Sequence, residues 1–172
     1  VCVSYLFDDK APLFPFGHGL GYTTFSWGEA QISDAPSHAE LTGGATVTVT
    51  VPVTNTGDRS GTEIVQCYVA PEAPVLARPP KELKGFAKIR LEPGETTEVA
   101  IELSQQAFAY YDPGDPTWVE RSIRVPVAAG GGRHGPGHRS EPGWYVDPGC
   151  YRLLLGASST DIRTEVVLVL DD

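Results

Sequence analysis

The stretch Ala45-Thr46-Val47-Thr48-Val49-Thr50-Val51-Pro52-Val53-Thr54 alternates valine with threonine or proline from Thr46 onward. Successive side chains of a β-strand point to opposite faces, so this period of two predicts a strand with its valines in a core. Pro52 has no N–H to donate to a ladder, which predicts an edge or a bulge at that position. The stretch therefore predicts a half-buried strand of an antiparallel sheet.

Segments of similar character lie on both sides of this strand. The predicted strands are residues 22–32, 45–54, 61–71, 83–91, 96–103, 150–156 and 162–170, with a further short one at 143–146. Residues 33–44 are polar and contain proline and glycine, so we interpret them as a loop. The turn residues Asn55-Thr56-Gly57-Asp58 separate 45–54 from 61–71, and we interpret that pair as a hairpin.

Short alternating strands without a convincing amphipathic helix predict an all-β fold. We expect a two-sheet antiparallel β-sandwich of the immunoglobulin or fibronectin type III kind. Tyr151 follows the turn Asp147-Pro148-Gly149 at the start of the penultimate strand. This is the place of the tyrosine corner in such sandwiches, in which the hydroxyl bonds to the backbone upstream.

Composition limits the classes of partner. The 13 basic and 22 acidic side chains give a net charge of −9, which argues against nucleic acid or an anionic membrane surface as partner. Cys2, Cys67 and Cys150 show no metal-ligand spacing, so we expect no disulfide framework, no cofactor and a buried Cys67. The chain begins Val-Cys-Val-Ser without Met or signal peptide, which predicts a piece of a longer protein. Nine Arg against four Lys suits a GC-rich bacterial genome.

Residues 12–25 form the least regular segment, PLFPFGHGLGYTTF. Its prolines fix φ and its glycines permit backbone conformations that a Cβ forbids, so an irregular path is specified. No upstream sequence is present to cover the aromatic side chains, which therefore need the following domain or another body to dock on. The predicted docking residues are Pro12, Leu13, Phe14, Pro15, Phe16, Gly17, His18, Gly19, Leu20 and Tyr22. We expect part of 13–20 to be exposed when the chain is alone, and His18 to serve a structural role in preference to facing a substrate pocket.

This segment resembles the sequence at the start of the C-terminal fibronectin type III-like domain of glycoside hydrolase family 3. The pattern V-x-V-x-N-x-G at 51–57, RPPKELKGF at 78–86 and LEPGE at 91–95 agree with that family in order, as does the run from Pro148 to Ile162. The resemblance implies a lead-in at residues 1–21, a sandwich at 22–172 and an insertion at 113–142. The short V-x-Y-x-F-D frame at 3–8 lacks the arginine that is usual there, and Gly21 stands where serine is commonest.

The same resemblance implies a retaining β-glucosidase as the parent, with an Asp nucleophile and a Glu acid/base. Both would lie in upstream catalytic domains, which are the implied partners, because no Asp of this chain is followed by Trp. A carboxylate cluster of Asp112, Asp115 and Glu120 lies in a Pro-Gly loop that offers catalysis no rigid support. His134 and His138 flank Gly135-Pro136-Gly137, which forbids the helix that a metal site would need.

Three aromatic residues, Trp118, Trp144 and Tyr145, could stack on sugar rings, although burial is the commoner fate of such side chains. Three functions therefore stay open. The chain is a non-catalytic docking domain, an independent module that binds carbohydrate or a cell surface, or one part of a split glucosidase that is active only in complex. The docking domain is favoured by the family resemblance.

Overall fold

The computed structural model of the chain describes residues 12–76, 78–114 and 139–171. Within them lie the strands β1 (Phe25–Trp27), β2 (Gln31–Asp34), β3 (Val47–Asn55), β4 (Gly61–Pro71), β5 (Glu82–Leu91), β6 (Thr96–Leu103), β7 (Tyr110–Asp112), β8 (Gly143–Tyr145), β9 (Gly149–Gly156) and β10 (Ile162–Leu170). The two helices are α1 (His38–Thr42) and α2 (Gln105–Phe108), and neither is long and apolar enough to cross a membrane. Cys2 and most of the predicted insertion, with His134 and His138, lie outside the described residues.

Two antiparallel sheets carry the fold. In sheet A, β3 pairs with β6 along one edge and with β1 and β2 along the other. Sheet B has the order β10-β9-β4-β5, and β7 and β8 form a separate small ladder. The predicted all-β, fibronectin type III-like sandwich is confirmed.

The core lies between the sheets. The valines at 47, 49, 51 and 53 are fully buried from sheet A, as the period of two predicts. Sheet B contributes Val65, Cys67 and Val69 from β4 together with Leu153 and Leu155 from β9. Cys67 is the small buried side chain that the sequence predicts, and burial raises the pKa of its thiol to about 12.

The predicted hairpin of β3 and β4 is wrong, because β3 belongs to sheet A and β4 to sheet B. Asn55 ends β3 and is fully buried. Its Nδ2 donates to the carbonyls of Arg59 (2.8 Å) and Leu91 (3.0 Å). Its Oδ1 accepts from the Thr23 hydroxyl (2.7 Å) and the Gly57 amide (3.1 Å). The turn residue thus satisfies backbone groups where the chain crosses between the sheets.

The predicted strand at 22–32 is divided into β1 and β2. Pairing with β3 shifts by one residue between them. At this break the Gly28 amide donates to the Pro52 carbonyl (2.8 Å), and a Cβ on Gly28 would overlap the Pro52 ring. The N–H and C=O groups of one strand residue point to the same side. The Pro52 carbonyl faces the break between β1 and β2, so the Pro52 nitrogen, which has no hydrogen to donate, faces it too. β3 is central and pairs with β6 without a register shift through Pro52 and Glu98, so neither the edge nor the bulge predicted for β3 at Pro52 is present. The irregularity lies in the facing chain, between β1 and β2.

The predicted loop at 33–44 contains α1, so the loop prediction is wrong at 38–42. Ser37 caps the helix: its hydroxyl accepts from the Glu40 amide (3.3 Å), and the Glu40 carboxylate accepts from the Ser37 amide (2.9 Å). This reciprocal pair is a capping box. Leu41 then enters the core, and the His38 imidazole contacts the Val146 carbonyl (2.9 Å).

The tyrosine corner is confirmed. The Tyr151 hydroxyl donates to the Asp147 carbonyl at 2.7 Å, across the turn that precedes β9. Burial and the negative charge of Asp147 raise the pKa of Tyr151 to about 12. The bond fixes the entry of β9 into sheet B.

Candidate functional site

Residues 12–22, which we call the docking segment, lead into β1 with almost all of their apolar side chains in solvent. The exposed fractions are 88% for Leu13, 69% for Phe14, 62% for Phe16, 93% for Leu20 and 94% for Tyr22. The sequence analysis predicts that part of residues 13–20 is exposed when the chain is alone, and these values agree with that prediction. Exposed apolar side chains at this density make the segment a candidate interaction surface.

The backbone of the docking segment is held although its side chains are free. The Ser159 amide, in the loop after β9, donates to the Phe16 carbonyl (2.9 Å). The His18 amide donates to the Pro15 carbonyl (3.0 Å) and closes a turn, and the Gly17 φ of 80° is one that favours glycine. The segment therefore presents its side chains from a fixed frame.

His18 is exposed, and its imidazole packs on the Phe14 ring, with centroids 5.4 Å apart and planes 36° apart. The two side chains are four residues apart, on either side of the turn at Pro15 to Gly17. Within the docking segment His18 thus supports the position of an exposed aromatic ring.

A buried polar side chain lies under the segment. Gln66 of β4 is 4% exposed, and its Nε2 donates to the Ala157 carbonyl (2.7 Å). Its Oε1 accepts from the Tyr68 hydroxyl (2.5 Å), and Gly17 lies against the carboxamide. Sequence reasoning did not single out Gln66. The available signal was one amide inside an otherwise apolar part of β4.

A groove of about 510 Å³ separates the end of the docking segment from the beginning of β4. Its lining includes Gly17, Leu20 and Thr23 together with the charged residues Glu63 and Lys88. Burial raises the pKa of Glu63, although the Ile64 amide donates to its carboxylate (2.9 Å). The groove combines apolar and charged walls beside the exposed segment.

The lining of this groove also contains an ion pair. The Arg163 guanidinium lies 2.6 Å from the Asp161 carboxylate, and that hydrogen bond raises the pKa of the arginine. Both side chains are more than two-fifths exposed, at 43% and 45%, so the pair adds little to stability.

The aromatic residues predicted for sugar contact have different surroundings. Trp144 of β8 is 71% exposed, and it packs edge-on against Tyr111, which sequence reasoning did not single out. The ring of Tyr145 is covered by the Arg139 guanidinium at 4.3 Å, and its hydroxyl donates to the Glu141 carbonyl (2.9 Å). Trp118 lies outside the described residues.

Of the three carboxylates considered as a cluster from the sequence, Asp112 belongs to the described residues. Asp112 is fully buried and accepts from the Gly114 amide (2.8 Å) and the Arg139 amide (3.0 Å), so it closes the ends of β7 and β8. Asp115 and Glu120 lie outside the described residues. Within 12–76, 78–114 and 139–171, no group of three or more His, Cys, Asp or Glu could hold a metal ion.

Comparisons with known proteins agree on the fold and the relatives. A profile of the fibronectin type III-like domain matches residues 63–132. A β-glucosidase of Rhizobium radiobacter is 39% identical over 159 residues, which are 92% of this chain and 16% of that protein. A probable β-glucosidase I of Neosartorya fischeri is 47% identical over 122 residues, which are 69% of this chain and 15% of that protein.

Solved structures give the same relationship. The GH3 β-glucosidase of Bifidobacterium adolescentis superposes with a TM-score of 0.70 at 34% identity, over 95% of this chain and 19% of that one. The β-glucosidase 3B of Thermotoga neapolitana, solved with glucose, gives 0.68 at 28% identity, over 94% and 18%. The chain spans 13–16% of the length of the first curated relatives, which are fungal and bacterial.

Proposed function

The chain belongs to the fibronectin type III-like domains of family 3 β-glucosidases, and on this premise we propose that it is a non-catalytic domain of a larger glucosidase. It docks on the catalytic domains through residues 12–22. The observation that carries the proposal is the exposure of Leu13, Phe14, Phe16, Leu20 and Tyr22 on a backbone that the sandwich itself holds.

Energetics support a partner for this segment. Each large apolar side chain gains about 1.5–3 kcal/mol when it is fully removed from water, and five such side chains are exposed here. A partner that covers them recovers that free energy without first ordering the backbone, because Ser159 and Gln66 already fix Phe16 and Gly17. The contribution of the domain to the parent enzyme is then stability and the position of its loops.

The carboxylates support the non-catalytic part of the proposal. Retaining glycosidases place two carboxyl groups about 5–5.5 Å apart on either side of the sugar bond. Asp112 is committed to backbone amides, and Asp161 forms an ion pair with Arg163. The proposal assigns glycoside cleavage to the larger enzyme.

The test uses the Rhizobium radiobacter β-glucosidase, truncated so that it lacks the region that matches this chain. We expect the chain to bind the truncated enzyme and raise its melting temperature. The variant Phe14→Ala/Phe16→Ala/Leu20→Ala should bind the truncated enzyme at least tenfold more weakly. The control Trp144→Ala removes an exposed aromatic side chain outside the docking segment, and it should bind as tightly as the unsubstituted chain.

A second arm covers the case in which the truncated enzyme does not fold. The chain replaces the matching region of the full-length enzyme, and the melting temperature is compared with and without the triple substitution. Equal melting temperatures in the two chimeras would contradict docking through residues 12–22. Hydrolysis of an aryl β-glucoside by the pure chain would contradict the non-catalytic assignment.

A further inference from the structure

The β7–β8 ladder exposes a pair of aromatic rings. Tyr111 and Trp144 lie directly opposite each other in the register, with ring centroids 5.6 Å apart and planes at 65°. Trp144 is 71% exposed and Tyr111 is 50% exposed. In this arrangement the edge of one ring packs on the face of the other, so each restrains the other although neither is buried.

The ladder is braced on the side that faces the sandwich. Tyr110 is buried there, with the Arg78 guanidinium 5.6 Å from its ring centroid. Asp112 ties the strand ends through the amides of Gly114 and Arg139. Buried Tyr110 and the hydrogen bonds of Asp112 therefore hold in place the strands that carry the exposed rings of Tyr111 and Trp144.

The pair is remote from the docking segment. Tyr145 ends β8 only four residues before Gly149 begins β9, whereas Ser159, which holds Phe16, follows the far end of that strand. Eight strand residues span roughly 25 Å at about 3.3 Å each. Residues 12–22 and the aromatic pair therefore lie toward opposite ends of β9.

We infer that Tyr111 and Trp144 form a binding site for pyranose rings of a β-linked glucan. A β-glucopyranose chair keeps its hydroxyls equatorial, so both ring faces present axial C–H groups that pack on an aromatic face. The hydroxyls at the perimeter stay hydrated or meet the indole N–H and the phenol O–H, which are hydrogen-bond donors. The choice of glucose as the sugar rests on the proposed function, because the relatives are β-glucosidases.

Affinity electrophoresis of the chain in gels with and without a soluble mixed-linkage β-glucan tests the inference. We expect the glucan to retard the chain, Trp144→Ala to lose at least tenfold of that affinity, and Tyr111→Ala to lose part of it. Phe86→Ala is the matched control, because Phe86 is 68% exposed but lies on β5. Its retardation should equal that of the unsubstituted chain.

Titration with cellopentaose, followed by NMR, needs no substitution and so stays informative where a variant fails to fold. The chain has three tryptophans, and Trp27 has its indole nitrogen buried. We expect the indole N–H signal of Trp144 to shift and that of Trp27 to stay constant.

Three results would overturn the inference: no retardation and no shift at Trp144, equal loss of retardation in Phe86→Ala, or loss of binding to the truncated glucosidase in Trp144→Ala. The last would make the pair a protein contact. Glucan binding that persists in the triple variant of the docking segment would separate this site from the proposed docking, so the two proposals can fail independently.

Discussion

Gly17 lies directly on the carboxamide of Gln66, and a Cβ built on Gly17 would overlap that side chain. Gln66 cannot move away freely, because its amide donates to Ala157 and its carbonyl accepts from Tyr68. The contact joins the docking segment to sheet B through a buried polar network. Such networks specify one arrangement because each member depends on the others.

Gly17→Ala should therefore loosen the docking segment. Alanine would have to adopt a φ near 80° and displace Gln66, at a cost of about 1–3 kcal/mol. The readout is hydrogen exchange of the Ser159 amide, which we expect to accelerate about tenfold or more as its bond to Phe16 opens. Gly19→Ala is the control, because a Cβ there meets nothing within 4 Å. Equal exchange in the two variants would show that Gly17 does not lock the segment.

Local patterns accounted for most of the strands. The valines of β3 are buried because a period of two is a property of the strand itself, and the bounds of β4, β6 and β10 agree with the sequence prediction for the same reason. The exposure of the docking segment was also predictable. Its aromatic side chains precede the domain and its prolines and glycines exclude a regular element that could bury them.

Long-range choices were not predictable from the same patterns. Strand pairing depends on contacts between distant parts of the chain: the side chain of Asn55, at the end of β3, bonds to Thr23 and Leu91, which are 32 and 36 positions away. The helix α1 has five residues, too few to show a period of 3.6, although Ser37 and Glu40 displayed the capping pattern. Tyr111 became part of a candidate site only when the ladder placed it opposite Trp144.

Tyr151→Phe should destabilise the domain by about 1–2 kcal/mol, measured as the free energy of unfolding in urea. The substitution removes one partly buried hydrogen bond, 2.7 Å long, from the Tyr151 hydroxyl to the Asp147 carbonyl. Tyr145→Phe is a matched control, since the Tyr145 hydroxyl also donates to the carbonyl four residues before it, but in an exposed place. We expect it to change stability by less than about 0.5 kcal/mol. A similar loss of unfolding free energy in both variants would show that the tyrosine corner contributes no more than an exposed hydrogen bond.

Gly28→Ala should destabilise the domain, and the size of the effect should depend on Pro52. The new methyl group would overlap the proline ring where β1 gives way to β2, a conflict of about 1–3 kcal/mol. In Pro52→Ala the ring is absent, so adding Gly28→Ala should cost less than half as much. A double-mutant cycle in urea measures this coupling. Additive costs would mean that the contact between Gly28 and Pro52 does not determine the break between the strands.

Glu63→Gln should stabilise the domain at neutral pH. Burial raises the pKa of Glu63, so the folded state holds a proton at pH values where the unfolded state has already lost it. Stability therefore falls as pH rises through the folded pKa, and the cost is fully present above that value. The glutamine stays neutral and avoids this cost. Because the carboxylate is half-buried and screened by solvent, we expect a gain below about 1 kcal/mol.

The gain should disappear as the pH is lowered past about 4.3, the ordinary value for a glutamate, because Glu63 is then protonated in both states. Melting temperatures between pH 3 and pH 8 would record this convergence. Glu98→Gln, on the exposed face of β6, controls for the general effect of removing one negative charge from a chain of net charge −9. If the stability gain of Glu63→Gln did not change with pH, or if Glu98→Gln gave an equal gain, the burial of Glu63 would not be its cause.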